Sequence, residues 1–378
     1  MENIVKKNIK ELKPYIPGKP IEEVERELGI KGVRKLASNE NCLGPSPKAM
    51  AAITRAIKDI NRYPDASSFY LKRALASIHG LKENNLIIGN GSDEIIVLAA
   101  RTFVGDGDEV IIARPTFLIY EIASQIQNAR IKYVPLTKGF KYDLKAMKAQ
   151  VTSGTKMVFI ANPDNPTGTY AAKPEMDDFL DGLPQETIVF LDEAYFEFAD
   201  FCCRDYPNGL DYLARPNMII SRSFSKAYGL AGLRIGYGVS SPELIGYMER
   251  VRDPFNVNLL AQAGAVAALE DKAFLKKTLT FVNKEKEYLY TAFGKLGLEY
   301  VRSATNFILV NVKRDGRAVF NDLLKRGVIV RDMKAWGLDS YIRVTVGTSQ
   351  ENRLFAKALG EVLKGLGRRP RHLANTMA

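Results

Sequence analysis

Lys226 stands in "ISRSFSKAYGLAGLRIGYGV" between Ser225 and Ala227, after the apolar run "MII" and before a segment whose only charge is Arg234. Most lysines keep their ammonium in water, but the glycines here let the backbone pack closely around one enclosed spot. An amine held neutral in such a place is a nucleophile toward aldehydes, condensing to a Schiff base. Three other stretches also end an apolar run in reactive or hydrogen-bonding groups. "FLDEAY" puts Asp192 at the end of a nearly wholly apolar run, where a carboxylate is costly unless a cation or donor meets it. Taken alone, Asp192 also reads as a helix N-cap. "ANPDNPTG" offers the Asn165 amide from a backbone stiffened by Pro166, in a turn composition that needs no function by itself. "GNGSDE" reads as a strand, a glycine turn and a helix start, whose N–H groups and Ser92 hydroxyl suit an anion. The carboxylates of Asp93 and Glu94 favour a first helical turn but would repel a phosphate if aimed at it.

The combination is more specific than its parts. It supplies an amine for an aldehyde, a buried carboxylate for a pyridinium nitrogen, and Asn165 with Tyr195 for a phenolic oxygen. It also supplies hydroxyls, N–H groups and Arg234 for a phosphate. Those are the requirements of pyridoxal 5'-phosphate. Cys42, Cys202 and Cys203 are too few and too unevenly spaced for a zinc site or a disulfide framework, so no metal is expected.

These residues need a frame that brings strand ends together. From about residue 86, short runs rich in Val, Ile and Phe alternate with amphipathic stretches such as "SDEIIVLAARTF". That alternation predicts an α/β fold with a mainly parallel, doubly wound sheet. Ligands in such sheets bind beyond the carboxyl ends of the strands. After residue 260 a long helical span precedes "TNFILVNV", "VIVRDM" and "YIRVTVGT", which read as a smaller α+β domain. We expect a large cofactor-binding domain over residues 36–260 and a small domain formed by residues 1–35 and 261–378.

The 378 residues carry a formal charge of +11, but the basic residues are spread along the chain. The one local cluster, "GRRPRH" (Gly367 to His372), lies near the C-terminus, so nucleic acid is not an expected partner. The field suits an anionic small-molecule substrate instead. No apolar run approaches the ~18 residues of a membrane span, and the first segment lacks the apolar core of a signal peptide. A cytoplasmic location without membrane association is expected.

With these residues in view, the chain resembles the fold-type I pyridoxal phosphate aminotransferases. The likeness runs through "PYIPGKPIEEV", "LASNEN", "RYPD", "GNGSDE", "NPDNPTG", "DEAYFEF", "SFSKAYGLAGLRIGY" and "VIVRDMKAWGLDSYIRVTVGT". Its terminal blocks are similar to the branch acting on histidinol phosphate. The resemblance implies that Lys226, Asp192 and Tyr195 are catalytic. It also implies that Ser92, Asp93 (through its backbone), Ser223, Ser225 and Arg234 hold the cofactor phosphate, and that Asn165 meets the ring oxygen. Phe117 falls where the family stacks an aromatic ring on the cofactor. Tyr63 matches a tyrosine that reaches the neighbouring subunit's cofactor, which implies a homodimer with shared sites. Tyr15, Asn39, Arg331 and Arg343 match substrate contacts. The implied reaction is amino-group exchange between L-histidinol phosphate and 2-oxoglutarate. Aminotransferases for aromatic or other amino acids and threonine-phosphate-type decarboxylases share most of these blocks, so they stay open from sequence.

Overall fold

A computed structural model describes residues 4–10, 12–14 and 18–366. Its largest sheet has seven strands: β1 Leu86–Gly89, β2 Glu109–Arg114, β3 Arg130–Pro135, β4 Thr155–Ala161, β5 Ile188–Asp192, β6 Met218–Ser223 and β7 Gly236–Ser240. The spatial order is β1-β7-β6-β5-β4-β2-β3. All neighbours are parallel except β7, which runs antiparallel to β1 and β6. Helices between the strands cover both faces. Strands buried on both faces read as continuous apolar runs rather than alternating ones, and β5 has all five residues buried. This is the doubly wound α/β sheet expected from the sequence.

A second sheet has four antiparallel strands: β8 Glu299–Tyr300, β9 Phe307–Asn311, β10 Arg331–Asp332 and β11 Tyr341–Thr345, in the order β10-β11-β9-β8. The helices Lys272–Lys295, Gly316–Leu324 and Ser349–Leu366 belong to this part of the chain. The apolar interior falls into two main clusters. One surrounds the seven-stranded sheet and includes Val257, Ala261 and Ala265. The other runs from Val24, Val33 and Leu36 to residues of the second sheet such as Phe307 and Val344. A short parallel pair, Arg34–Lys35 with Val328–Ile329, ties the N-terminal part of the chain to the second cluster. Among the described residues, no helix is long and apolar enough to cross a membrane.

Candidate active site

The carboxyl ends of β4, β5 and β6 open on one cavity of about 190 Å³. Parallel strands make this inevitable: Ala161 pairs with Asp192 and Asp192 with Ser221, so three strand ends finish on one edge. The lining includes Ser92, Asp93, Phe117, Asn165, Asp192, Tyr195, Ser223, Ser225, Lys226 and Arg234. Asn39, Arg331 and Arg343 border it as well. Thus a cluster gathered from the whole sequence shares one space. Tyr63 is not among the lining residues; it is 82% exposed and stacks on Phe255 with ring centroids 4.6 Å apart. Tyr15 lies outside the described residues.

Asp192 is 5% exposed and accepts three hydrogen bonds. Tyr120 Oη donates to Oδ2 at 2.7 Å, while the Ala194 N–H and the Ser221 hydroxyl donate to Oδ1 at 3.0 and 3.2 Å. Burial pushes its carboxyl up to about 6 despite those donors. An acid in that state accommodates negative charge fully only when a cation faces it.

Lys226 follows β6 in the glycine-rich turn, its Nζ 5.6 Å from the centre of the Tyr195 ring. Burial brings its ammonium down to about 8, and the nearby Arg343 and Arg234 act in the same direction against Asp93. A large fraction of the amine is therefore neutral near pH 8, as a nucleophile or a proton carrier requires. Tyr195 accepts a hydrogen bond from the Asn39 amide at 2.8 Å. Asn39 is itself buried and fixed by Thr345, whose hydroxyl receives its backbone N–H at 2.9 Å.

Another part of the lining offers groups suited to an anion. Ser92 opens the helix Ser92–Phe103 after Gly91, which has φ +83°. Arg234, at φ +55°, lays its guanidinium over Gly91 and pairs with the Asp93 carboxylate at 3.1 Å. That ion pair turns the Asp93 charge toward Arg234. Ser223 and Ser225 line the cavity too, the Ser223 hydroxyl accepting from the Ser225 N–H at 3.1 Å. Gly236 makes the close approach possible, because a Cβ there would sit 2.5 Å from the Ser92 nitrogen and 2.8 Å from the Gly91 carbonyl carbon. Backbone atoms cannot swing aside, so Gly236→Ala should cost about 1–3 kcal/mol of stability and weaken cofactor phosphate binding at least tenfold. A denaturation midpoint and a cofactor titration both at wild-type values would contradict this packing.

The sequence did not reveal several residues that set this geometry. Tyr120, in the middle of a helical pattern, lies 72 positions from the carboxylate it serves. Glu193 follows Asp192 on an extended strand end, so its side chain falls on the other face. There it meets Arg222 in a fully buried pair, Nη2 to Oε2 at 2.8 Å, with the guanidinium 3.4 Å above the Phe196 ring. Two adjacent acids ending an apolar run carried a usable signal, since the second also needs a cation. Asp164 accepts from Thr116 Oγ1 at 2.6 Å and Thr167 Oγ1 at 2.8 Å, binding the segment with Phe117 to the loop with Asn165. Trp336 donates to the Thr116 carbonyl at 2.9 Å, extending the tie to the segment after β10.

Arg343 donates to the Asn165 amide oxygen and, at 2.9 Å, to the Ala37 carbonyl. Arg331 lies over the Trp336 ring, 5.3 Å from its centroid. In register, Arg331 and Arg343 face each other across β10 and β11. Like charges directly opposite on a sheet repel, so a pair of this kind at a cavity favours an anion between them.

Comparison with known proteins bears on this arrangement. A family model described as aminotransferase class I and II matches residues 31–359. The chain is 52% identical to the histidinol-phosphate aminotransferase of Moorella thermoacetica over 93% of its own length and 91% of that relative. It is 47% identical to histidinol-phosphate aminotransferase 2 of Carboxydothermus hydrogenoformans, covering 96% and 99% of the two chains. The crystal structure of histidinol-phosphate aminotransferase from Sinorhizobium meliloti in complex with pyridoxal-5'-phosphate superposes with a TM-score of 0.89 at 32% identity, covering 96% of this chain and 98% of that one.

Proposed function

The chain belongs to the class I and II aminotransferases, and from that premise we propose that it transfers the amino group between L-histidinol phosphate and 2-oxoglutarate, giving imidazole-acetol phosphate and L-glutamate. Pyridoxal phosphate is its cofactor. The donor set fits that group: Lys226 for the aldehyde, Asp192 for the ring nitrogen, Tyr195 and Asn165 for the ring oxygen. Ser92, Ser223, Ser225, Arg234 and the first amides of the helix Ser92–Phe103 suit the phosphate, and the space kept by Gly91 and Gly236 admits it. When bound, the cofactor supplies an aldehyde and an electron-accepting pyridinium ring.

The residues then divide the work. Lys226 Nζ, about half neutral near pH 8, would take the proton from the substrate α-carbon and return it at the carbon of the cofactor's aldehyde group. Asp192, held by Tyr120, Ser221 and the Ala194 amide, keeps the ring nitrogen protonated. Phe117 and Tyr195 flank the space and exclude water. Arg343 and Arg331 hold the substrate's acidic group.

The observation carrying the substrate assignment is the cross-strand pair of Arg331 and Arg343 on the cavity that holds Lys226. Two guanidiniums suit a phosphate dianion, the group that histidinol phosphate presents. Single-turnover conversion of the holoenzyme, followed by absorbance, should be at least tenfold faster with L-histidinol phosphate than with L-phenylalanine or L-aspartate. Equal rates would remove the substrate assignment and leave the transaminase reading intact.

We further read the active form as a homodimer, with Tyr63 reaching the neighbouring subunit's cofactor. The exposed Tyr63, Tyr70, Phe69 and Phe255 support this, since apolar surface of that kind is costly in a lone monomer. Sedimentation of the active enzyme as a monomer would exclude it. We also assign residues 36–260 to a cofactor domain, and residues 1–35 with 261–378 to a smaller one.

A further inference from the structure

Cys202 closes the helix Phe196–Cys202, and the Cys203 N–H caps it by donating to the Ala199 carbonyl at 2.8 Å. Both cysteines are half-buried, neither lines the Lys226 cavity, and their sulfurs lie 3.2 Å apart. Lys286 reaches the pair from the helix Lys272–Lys295. It is 3% exposed, donates to the Ser303 carbonyl at 2.7 Å, and stands 4.0 Å from Cys202 Sγ. Among the described residues no carboxylate lies within ion-pair distance of Lys286; its neighbour Glu287 is engaged by Arg302. A buried ammonium needs a compensating anion, and the nearest group able to become one is the Cys202 thiolate. The hydrogen bond between the thiols, followed by the Lys286 charge, lowers the Cys202 thiol, while the same bond and burial push Cys203 up against the Tyr170 hydroxyl that also meets it.

The spacing narrows what such a pair can take. A disulfide places its Cα atoms at least about 4.4 Å apart, whereas neighbouring residues are held at about 3.8 Å. Closing the bond would therefore demand backbone distortion. Tetrahedral zinc needs more ligands, and among the described residues no three His, Cys, Asp or Glu side chains are grouped to hold a metal ion. One soft atom with bonds of about 2.3 Å meeting near a right angle spans the gap as it stands. Pyramidal trivalent arsenic has that geometry.

We propose that Cys202 and Cys203, with Lys286, form a chelating vicinal dithiol site for monosubstituted trivalent arsenicals. Two As–S bonds form and the arsenic–oxide bond breaks. The oxygen leaves as water with the two thiol protons, and arsenic stays trivalent, so no oxidant or reductant takes part. Lone Cys42, whose thiol is raised to about 12 by burial, is the internal control.

The test is phenylarsine oxide added to the holoenzyme, read by intact mass and by free-thiol count. One adduct should form with loss of one water, and the count should fall from three to one. The adduct should survive excess monothiol and be released by a dithiol. Cys202→Ser and Cys203→Ser should each lose the monothiol-resistant adduct, and Cys42→Ser should keep it. A resistant adduct in Cys202→Ser, or none in the wild type, overturns the proposal. Lys286→Met should slow capture severalfold at pH 7. Where that variant fails to fold, the wild-type pH profile decides: the rate should be half-maximal well below the ordinary thiol range of about 8.5, and a midpoint at that ordinary value overturns the role of Lys286.

Discussion

Replacing Lys226 with Ala should lower turnover by about 10⁴-fold or more, because in the proposed function the amine is both the aldehyde nucleophile and the proton carrier. The same variant should bind pyridoxal phosphate without the visible absorption of a lysine-attached cofactor. The variant should still fold, since the change removes a side chain whose charge burial disfavours. In the wild type, the rate at which apoenzyme acquires that absorption should rise with pH and be half-maximal near 8, following the neutral amine. The direction follows from burial, which penalises the ammonium and moves its titration below the ordinary lysine range. A variant that keeps the absorption band, or a wild-type rate that is flat from pH 6 to 9, would remove Lys226 from this role.

Asp192→Asn should separate activity from stability. In the proposed function it removes the charge that holds the proton on the ring nitrogen, and losing one preorganised electrostatic partner of this kind costs about 10²–10³-fold in turnover. The apoenzyme should nevertheless become more stable at neutral pH. The folded carboxyl titrates at about 6 against an ordinary 3.8, a gap worth about 3 kcal/mol. The sign is fixed by the raised value. Well below pH 4 the acid is neutral in folded and unfolded chains and costs nothing. As pH rises from about 4 to 6 the unfolded chain ionises while the folded carboxyl keeps its proton, so stability falls across that window and levels off above it. The asparagine variant escapes that loss, and the Tyr120 hydroxyl can rotate to accept from its amide. Its denaturation midpoint should exceed that of wild type at pH 8 by clearly more than at pH 4, both without cofactor. A lower midpoint at pH 8 would mean that the carboxylate is compensated in the apoenzyme by charges other than those seen around it.

Six strands of the large sheet were legible as short apolar runs that residue order alone carries, whereas β7, with the sequence "GYGVS", was not, because its glycines interrupt any such run. Asp192, Asn165, Ser92 and Lys226 were legible for a related reason: each is a polar group stationed where such a run stops. Parallel strands must deliver their carboxyl ends to one edge, so local position implied a shared location. Tyr120 escaped notice because nothing in "FLIYEIASQI" separates a donor to a distant carboxylate from an ordinary buried tyrosine. Asp164 read as a turn residue, and only the folded chain turns it into a clamp between Thr116 and Thr167.

By itself the sequence carried the proposed chemistry, since an enclosed lysine, a strand-end carboxylate and a glycine turn suited to an anion are properties of local runs and their immediate neighbours. Tertiary structure decided how those groups are tuned and what reaches them. The Tyr120 donor to Asp192, the buried Arg222–Glu193 pair behind it, and the union of Arg343 with Asn165 across 178 positions depend on sheet order. Sheet order is set by which faces can be buried together, a global balance of packing that no short window of residues contains. The same balance brings Lys286 from one core to Cys202 at the edge of another segment, where its charge acts on a thiol 84 positions away.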